Sequence, residues 1–302
     1  MKKQQFKSRK ENINGVLLLD KPLGMSSNQA LQRVKWLFQA KKAGHTGSLD
    51  PLATGLLPLC FGQATKISQY LLDSHKKYIT TIKLGEVTDT LDAEGEVVET
   101  RDVNVSDQQI QDALAQFRGE IKQVPPMYSA LKKDGQPLYK LARKGEVIER
   151  PARDMVVHGL TATRVDDLHV ELSVHCSSGF YIRSLAFDLG EVLGCGAHVV
   201  ELRRTDIKYL SVGQAVTVEE IEVCKDIKSL LSPIDSLLQE MPKITISERQ
   251  AAELLQGKIV PSEGLKTTEL TRFYTQEGRL FAVGEVNELD QLKTHRIFVE
   301  SV

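Results

Sequence analysis

The residue types best suited to chemistry stand together in one glycine-rich segment. Its central carboxylate, Asp50, precedes Pro51, and because a residue before proline is biased away from the helical region, this carboxylate is held on a defined, non-helical backbone. The flanking glycines let a ligand approach the main chain closely. A carboxylate placed in this way can serve as a nucleophile, and the alternative is an aspartate that only caps a turn. The segment reads Gly44-His45-Thr46-Gly47-Ser48-Leu49-Asp50-Pro51-Leu52-Ala53-Thr54-Gly55.

Other kinds of site are disfavoured by what accompanies this carboxylate. The segment lacks the Gly-Lys-Ser/Thr ending of a Walker loop. His45 and Asp50 have no second carboxylate or imidazole at ligand spacing, so we expect no metal site. The cysteines form no Cys-x-x-Cys pair, which argues against a zinc cluster or a disulfide framework and predicts buried or half-buried thiols. They are Cys60, Cys176, Cys195 and Cys224.

Short strands and amphipathic helices must position this segment. A helix predicted over 28–39, capped by Ser26 or Ser27, has apolar residues at helical spacing and leads into it. Residues 41–51, which overlap the first part of the glycine-rich segment, have the composition of a loop. Strands and helices alternate along the chain, but without the regular βαβ period of a doubly wound sheet. Strands are predicted at 15–19, 56–61, 78–84, 168–176 and 198–202, helices at 64–72, 107–117 and 181–193, and a turn-rich acidic loop at 89–99.

Two parts of the chain differ from this pattern. Residues 124–153 are bounded by prolines, rich in Lys, Arg and Tyr, and poor in apolar periodicity, which predicts an inserted, partly mobile flap. From residue 242 onward we expect a small C-terminal module over 242–302, separate from a main domain over 1–241. Its helix begins at the capping box Ser247-Glu248-Arg249-Gln250 and stops at Gly257. Its strands are predicted at 244–246, 273–274, 280–286 and 297–299.

Charge is strongly segregated along the chain, although the net charge is only −1. Residues 1–84 carry 14 Lys and Arg against 4 Asp and Glu, and residues 121–153 carry 8 against 3. Residues 85–120 and 154–302 carry more Asp and Glu than Lys and Arg, and this excess of acidic residues offsets the two basic blocks. Because local fields, and not the net charge, steer a polyanion, the two basic blocks are candidates for an RNA or DNA footprint. The alternative is a pair of solvated faces.

Length and hydropathy limit the class of protein. The chain has 302 residues, 41% apolar and 26% charged, which suits one large domain or one domain with a smaller partner. No apolar run approaches the roughly 18 residues of a membrane span, and no signal-peptide segment follows the basic N-terminus. We therefore expect a cytoplasmic protein that does not bind a membrane.

The segment around Asp50 resembles the signature of the bacterial TruB-type tRNA pseudouridine synthases, which isomerise uridine 55 in the TΨC arm of tRNA. Five further blocks resemble those of this family and follow in its order, over roughly residues 15–210. The resemblance therefore does not depend on a single motif. The blocks are DKPLGMSS (20–27), TDTLDAEG (88–95), PPMYSALK (125–132), SSGFYIRSL (177–185) and GAHVVELRRT (196–205).

The resemblance implies roles for individual residues of the catalytic centre. Asp50 is expected to be the essential aspartate, and Arg183 is expected to pair with it, which favours and orients the charged carboxylate. Tyr78 is expected to stack on the target base and to handle a proton, although an aromatic residue at a strand start belongs more often to a core. Tyr181 is expected to line the same pocket. Leu202 matches a position that contacts the flipped nucleotide through its backbone.

The resemblance also implies contacts with RNA outside the catalytic centre. His45 is expected to enter the RNA arm and to replace contacts left by the flipped nucleotides; without the resemblance it would be only a loop residue. Basic side chains, several of them in the flap, are expected to contact the RNA, and such binding should depend on salt. The residues assigned to these contacts are Lys21, Lys66, Lys132, Lys133, Arg143 and Arg153.

The resemblance implies an α+β fold: a pseudouridine-synthase catalytic fold with a large mixed, mainly antiparallel sheet, the inserted flap, and a small PUA-like C-terminal RNA-binding module. The expected activity is cofactor-free isomerisation of uridine 55 in tRNA, with the base flipped out of the arm. The expected partner is the TΨC stem-loop of tRNA, bound by a monomer without a guide RNA. The sequence leaves open whether Asp50 attacks C1′ or uracil C6, or acts by elimination at C2′.

Two other classes of function are compatible with parts of the sequence. A non-catalytic RNA-binding or RNA-folding protein would account for the basic flap alone. A hydrolase would use Asp50 on a nucleoside. The product separates the three classes, because an isomerase rearranges the uridine without a change in mass, a hydrolase frees uracil, and a binding protein changes nothing covalent.

Overall fold

The computed structural model describes residues 10–267 and 269–298. The strands within these residues are β1 (Gly15–Lys21), β2 (Ala43–His45), β3 (Ala53–Phe61), β4 (Lys76–Leu84), β5 (Glu86–Thr88), β6 (Val97–Thr100), β7 (Gly119–Gln123), β8 (Lys132–Lys133), β9 (Gln136–Pro137), β10 (Arg153–Arg164), β11 (His169–Cys176), β12 (Ala197–Ile207), β13 (Leu210–Ser211), β14 (Lys243–Thr245), β15 (Val260–Pro261), β16 (Thr271–Tyr274), β17 (Leu280–Val286) and β18 (Gln291–Ile297). The helices are α1 (Ser27–Leu37), α2 (Gln69–Leu72), α3 (Asp107–Ala115), α4 (Leu138–Ala142), α5 (Ile182–Leu193), α6 (Val218–Val223) and α7 (Glu248–Leu255). Four 3₁₀ segments complete the regular structure: Gly62–Lys66, Val212–Gln214, Ile227–Leu230 and Ile234–Leu238.

A nine-stranded sheet forms the centre of the molecule. Its main path runs β1-β3-β12-β4-β11-β10-β7, with β2 paired to β3 and β13 paired to β12. The pairing of β3 with β12 is parallel, and the other pairings in this sheet are antiparallel. The expectation of an α+β fold with a large mixed, mainly antiparallel sheet is therefore confirmed.

The pairing of β12 with β3 and β4 brings together strands that carry or flank predicted site residues. Arg204 lies opposite Gly55 on β3 and opposite Tyr78 on β4, two residues after Leu202 on the same strand. β12 and β3 approach so closely that a Cβ at Gly55 would lie 2.3 Å from the carbonyl oxygen of Arg204. Only glycine fits there, and its φ of 101° is also one that other residues rarely adopt. The segment that carries Asp50 is thus anchored directly beside β12.

Helices α3 and α5 cover one face of this sheet and build its core. Their apolar residues recur at helical spacing, so one side of each helix is buried against the strands. Of the two predicted caps of α1, Ser26 is the N-cap: its hydroxyl accepts from the Gln29 amide N–H. The core contains Ile82, Leu84, Ile110, Leu114, Val170, Leu172, Val174, Leu185 and Leu189.

Several predicted elements differ from the structure for local reasons. The helix predicted at 64–72 is split into a 3₁₀ segment and α2, because the hydroxyls of Thr65 and Ser68 donate to backbone carbonyls and compete with the helical pattern. β2 lies within the predicted loop. β7 and the long strand β10 were not predicted at all. A bulge between Val157 and Gly159 interrupts the alternation of buried residues along β10, which hides its period of two.

The flap, residues 124–153, joins β7 to β10. Within it the regular structure consists of the short hairpin β8–β9 and the single-turn helix α4, and β10 begins at its last residue, Arg153. Leu138 and Leu141 of α4 are buried, although the sequence pattern showed no apolar periodicity here. Most of the flap's Lys and Arg side chains remain exposed.

The C-terminal part has a sheet and a core of its own. The sheet runs β14-β16-β17-β18-β15, and α7 begins at the predicted capping box, with the Ser247 hydroxyl accepting from the Gln250 amide N–H. Val283 and Phe298 also pack with β1 and β3 of the large sheet. The final strand was predicted too late in the chain: β18 spans Gln291–Ile297 and shares only Ile297 with the predicted range 297–299, of which residue 299 lies outside the described residues. The core of this part contains Ile246, Leu254, Val260, Phe273, Phe281 and Leu292.

Other sequence expectations concern the thiols, the hydropathy and the basic N-terminus. Three of the four cysteines are buried and Cys224 is half-buried, all with free thiols, as predicted. No helix within the described residues is long and apolar enough to cross a bilayer. Residues 1–9, part of the first basic block, lie outside the described residues.

Candidate active site

An ion pair between Asp50 and Arg183 forms the centre of the site. Asp50 follows β2 in the loop before β3, and Arg183 lies in the first turn of α5. The Oδ2 atom of Asp50 is 2.9 Å from Nη2 of Arg183. The arginine side chain is 6% exposed, whereas 43% of the aspartate side chain remains open to the pocket. The carboxylate is therefore held by a buried cation while it stays accessible to a ligand.

The same guanidinium binds a second carboxylate that sequence reasoning had not singled out. Nη1 of Arg183 is 3.2 Å from Oδ2 of Asp92, whose side chain is only 4% exposed. Asp92 is fixed in turn by the hydroxyl of Thr90 at 2.6 Å and by the backbone N–H of Glu94 at 3.1 Å. Its one sequence signal was its place in the TDTLDAEG block. Arg183 thus bridges two acidic groups from separate loops.

The pocket sets the protonation of Asp50 through opposing effects. Partial burial of Asp50 in the pocket raises its pKa above the ordinary aspartate value. The charge of Arg183 acts against this shift and lowers the pKa, while Asp92 adds to the increase. Arg183 consequently favours the ionised form of Asp50.

A cavity of about 320 Å³ opens above Asp50. This volume lies at the lower end of the range for small-ligand pockets. The structure brings five predicted site residues to its walls, from four separate parts of the chain, and Ser129 and Ala130 of the flap form a further wall. The five are Asp50, Tyr78, Tyr181, Arg183 and Leu202.

Tyr78 is paired with an arginine that sequence reasoning also missed. The Tyr78 side chain is buried, which raises the pKa of its phenol, and the charge of Arg204, which lies opposite Tyr78 on the neighbouring strand, opposes that increase. Arg204 is only 1% exposed. Its Nε donates to the carbonyl of Leu56 at 2.8 Å, and its Nη atoms approach the carbonyls of Gly47 and Ser48 at 3.3 and 3.4 Å. Its one sequence signal was its place in the block at 196–205.

The remaining pocket residues are held through their main chains. Tyr181 is the N-cap of α5, and its N–H and C=O both bond the buried side chain of Gln123, at 2.8 and 3.0 Å. The carbonyl of Leu202 accepts from the Thr54 hydroxyl at 3.5 Å. These contacts fix the positions from which an aromatic ring and a backbone group reach the cavity.

His45 does not line this cavity. It lies on β2, paired in register with Leu59 of β3. Partial burial and the neighbouring charge of Arg204 lower the pKa of His45, which favours the neutral imidazole at physiological pH. Within the described residues, no group of three or more His, Cys, Asp or Glu side chains could hold a metal ion.

Lys21, expected among the RNA contacts, is instead fully buried. Its ammonium donates to the carbonyls of Pro22 and Met25 at 2.8 and 2.5 Å, and approaches that of Pro51 at 3.5 Å. Burial lowers the pKa of Lys21 to about 8, and the charge of Asp50 opposes this decrease. The side chain therefore supports the loop beneath Asp50 and presents no surface to a phosphate.

The other basic residues expected at RNA occupy two surfaces. Lys66 ends the 3₁₀ segment after β3 and donates to the carbonyl of Ile297 on β18 at 2.7 Å, which ties the large sheet to the C-terminal part. The flap residues Lys132, Lys133 and Arg153 are exposed or nearly so. Arg143 lies over the ring of Tyr139, with 5.7 Å between its Cζ and the ring centroid.

Comparison with known protein families yields matches over most of the chain. The family model described as "TruB family pseudouridylate synthase (N terminal domain)" matches residues 35–182. The one described as "tRNA pseudouridylate synthase B C-terminal domain" matches residues 183–239. A third, "Pseudouridine synthase II TruB, C-terminal", matches residues 242–298.

Individual proteins are similar to the chain over nearly its whole length. The tRNA pseudouridine synthase B of Pseudomonas putida is 50% identical over 299 residues, which cover 97% of this chain and 98% of that protein. The protein of the same name from Pseudomonas aeruginosa is 51% identical, with the same coverage. Among solved structures, a chain of a Cbf5–Nop10–Gar1 complex superposes with a TM-score of 0.70 at 26% identity, over 94% of this chain and 85% of that one.

Proposed function

This chain belongs to the TruB family of pseudouridine synthases, and we propose that it converts uridine 55 in the TΨC loop of tRNA into pseudouridine. It is an isomerase with the pseudouridine-synthase fold. The observation that carries the proposal is the Asp50–Arg183 ion pair at the base of a cavity that Tyr78 and Tyr181 flank. The specificity for position 55 rests on the resemblance of the motifs to those of bacterial members.

The reaction requires one accessible carboxylate on the protein and a uracil that can rotate within the cavity once its bond to the ribose is broken. The bond between N1 and C1′ breaks, a bond between C5 and C1′ forms, C5 loses its proton, and N1 gains one, so the product has the composition of the substrate. Asp50 in its ionised form supplies the carboxylate, and Arg183 favours that form. No electron acceptor is needed, because nothing is oxidised or reduced.

The cavity suits a nucleoside that has left its helix. A stacked and paired uridine cannot expose its glycosidic bond, so the base must be flipped out at a cost of a few kcal/mol. The ring of Tyr78 supports stacking of the flipped base, and aromatic stacking contributes about 1–3 kcal/mol per base. The backbone of Leu202, at the cavity wall, is positioned to recognise the edge of the base. His45, beside the same loop, enters the space that the flipped nucleotides leave.

The basic surfaces account for binding of the tRNA arm. We propose that residues 1–241 form the catalytic domain, that the flap closes over the arm, and that residues 242–302 form a PUA-like RNA-binding module. The separate core and sheet of the C-terminal part support this division. We also propose that the protein acts as a monomer and without a guide RNA, as the resemblance to the bacterial TruB-type enzymes implies.

The proposed function is tested by incubating the purified protein alone with an unmodified tRNA transcript. We expect one pseudouridine, at position 55, when the product is mapped by carbodiimide labelling and primer extension. A transcript with cytidine at position 55 serves as the control and should remain unlabelled at that position. Modification at another position would contradict the specificity and retain the reaction class, whereas free uracil would indicate a hydrolase.

Removal of two exposed charges from the flap should weaken tRNA binding. For the double variant Lys132→Ala/Lys133→Ala, we expect about a tenfold loss of affinity at physiological salt. The plot of log K against log salt concentration should also become less steep, by about one for each lost phosphate contact. Filter binding across a salt titration measures both quantities. The matched control is Lys225→Ala/Lys228→Ala, outside the flap, and an equal loss in that variant would show that the effect comes from charge in general.

A further inference from the structure

Two buried cations on the wall of the catalytic cavity lack an acidic partner. Lys76 is 8% exposed and Arg204 is 1% exposed, and both line the cavity above Asp50. Within residues 10–267 and 269–298, both side chains donate hydrogen bonds to backbone carbonyls, and neither forms an ion pair with a carboxylate. Arg183, the third cation of the cavity, is by contrast paired with both Asp50 and Asp92. The charges of Lys76 and Arg204 therefore have no direct counter-charge in the protein.

The two cations lie on the same side of the cavity. Nζ of Lys76 donates to the carbonyl of Leu72 at 3.0 Å and to that of Ser74 at 2.6 Å. A Cβ at Gly47 would lie 4.0 Å from Nη1 of Arg204 and 4.0 Å from Cδ2 of Leu72, so Gly47 joins the guanidinium to the residue that holds the ammonium. Burial lowers the pKa of Lys76 to about 8, and the charge of Arg204 adds to this decrease. Lys76 consequently stays mostly protonated at neutral pH.

The ammonium of Lys76 has one donor left for a ligand. An ammonium group carries three N–H donors. The carbonyls of Leu72 and Ser74 accept from two of them, and no third acceptor contacts Nζ in the part of the chain that the structure describes. A buried donor without an acceptor and a buried charge without a counter-charge both destabilise a protein. An anionic ligand oxygen in the cavity removes both costs.

The RNA backbone is the part of the expected ligand that carries negative charge. The uracil and the ribose of the target nucleoside are neutral near neutral pH, so they leave the charges of Lys76 and Arg204 unmatched. The two phosphodiesters that flank the flipped nucleotide are bonded to its ribose and are therefore the anions nearest to the cavity. Contacts to phosphate are also those that fix the position of a nucleic acid on a protein.

We propose that Lys76, with Arg204 beside it, forms an anion subsite of the cavity, which binds a phosphodiester that flanks the target uridine. The inference rests on the proposed function, because it assumes that the cavity takes a flipped nucleotide. The subsite holds the nucleotide by its backbone while Tyr78 and Leu202 contact the base. A lysine that only stabilised the turn at residues 72–74 would not respond to the charge of the RNA.

Substitution of Lys76 combined with removal of one phosphate charge tests this proposal. The RNA is a synthetic TΨC stem-loop with a neutral methylphosphonate at the linkage on the 5′ or the 3′ side of the target uridine. The reference RNA has an ordinary phosphate at the same linkage, and in both RNAs the sugar before that linkage is 2′-deoxy, so that the neutral linkage is stable. Filter binding gives the dissociation constants for the native protein and for Lys76→Met.

The expected result is a loss that depends on the phosphate charge. Lys76→Met should weaken binding of the reference RNA by at least about tenfold, and binding of the methylphosphonate RNA by less than about threefold at one of the two linkages. Equal losses with reference and neutral RNA at both linkages would overturn the proposal. A native protein that binds the stem-loop and forms no pseudouridine would refute the proposed function, whereas the comparison of dissociation constants decides the subsite.

Matched variants separate the charge of Lys76 from its structural contacts. Lys76→Arg keeps a cation at this position and should retain most of the affinity for the reference RNA. Lys77→Met removes the next lysine, whose exposed side chain lies on the opposite face of β4, and it should change the binding of both RNAs by the same factor. Thermal melting shows whether each variant is folded, and Lys76→Gln, which keeps a hydrogen-bond donor, replaces Lys76→Met if the methionine variant is not.

Discussion

Replacement of Asp50 by asparagine is expected to lower the rate of pseudouridine formation by at least about 10⁴-fold, the scale on which loss of a nucleophile acts. The amide keeps the size and most of the polar contacts of the carboxylate, but it has no negative charge and does not act as a nucleophile. The carboxylate is otherwise well placed to react, because it is open to the cavity while Arg183 holds it from behind. Single-turnover assays on tRNA transcript, with the product mapped by position, measure the loss.

Binding of tRNA should survive the same substitution. The contacts expected to bind the arm lie on the flap and on other basic surfaces, so the dissociation constant of Asp50→Asn should remain within about twofold of the native value. Asp102→Asn, an exposed aspartate before α3, is the matched control and should keep full activity. Retained pseudouridine formation in the Asp50 variant would refute its role. A parallel loss of binding would instead indicate that the loop had been displaced.

Replacement of Arg183 by methionine should produce the second large effect, about a 10²–10³-fold loss of rate at neutral pH. Arg183 lowers the pKa of Asp50 against the effects of burial and of Asp92, and does so more strongly than Lys21. Without it the pKa rises further, and since the ionised form is the reactive one, activity is lost as the pH falls through this higher pKa. The acidic limb of the pH–rate profile should therefore move to higher pH.

The conservative variant separates charge from geometry. Arg183→Lys keeps the positive charge but cannot bridge Asp50 and Asp92 with two Nη atoms, so we expect a reduced rate with an acidic limb close to that of the native protein. Folding of each variant is checked by thermal melting, because Asp92 is buried and loses its counter-charge in the methionine variant. An unchanged acidic limb in Arg183→Met would show that Arg183 does not control the ionisation of Asp50.

Local patterns were sufficient for much of the framework. The helices around 28–39, 107–117 and 181–193 and the strands around 78–84 and 168–176 agree with the structure within a few residues. Their signals, apolar periodicity and capping boxes, depend on neighbours within one or two turns of chain. Strand β10 escaped prediction because its bulge breaks the period of two. The split at 64–72 escaped it because side-chain hydrogen bonds to the backbone are not visible in an apolar pattern.

The sequence by itself determined the family and predicted the reactive carboxylate and the residues that would surround it, because these residues lie in short, ordered motifs. Only the tertiary structure revealed that Asp92 shares Arg183, that Arg204 is buried beside Tyr78, and that Lys21 lies beneath the loop that carries Asp50. A charged side chain is normally solvated, and its burial depends on partners that distant segments bring to it. Such partners arise from the register of β12 with β3 and β4 and from the docking of α5. No pattern confined to neighbouring residues contains that information.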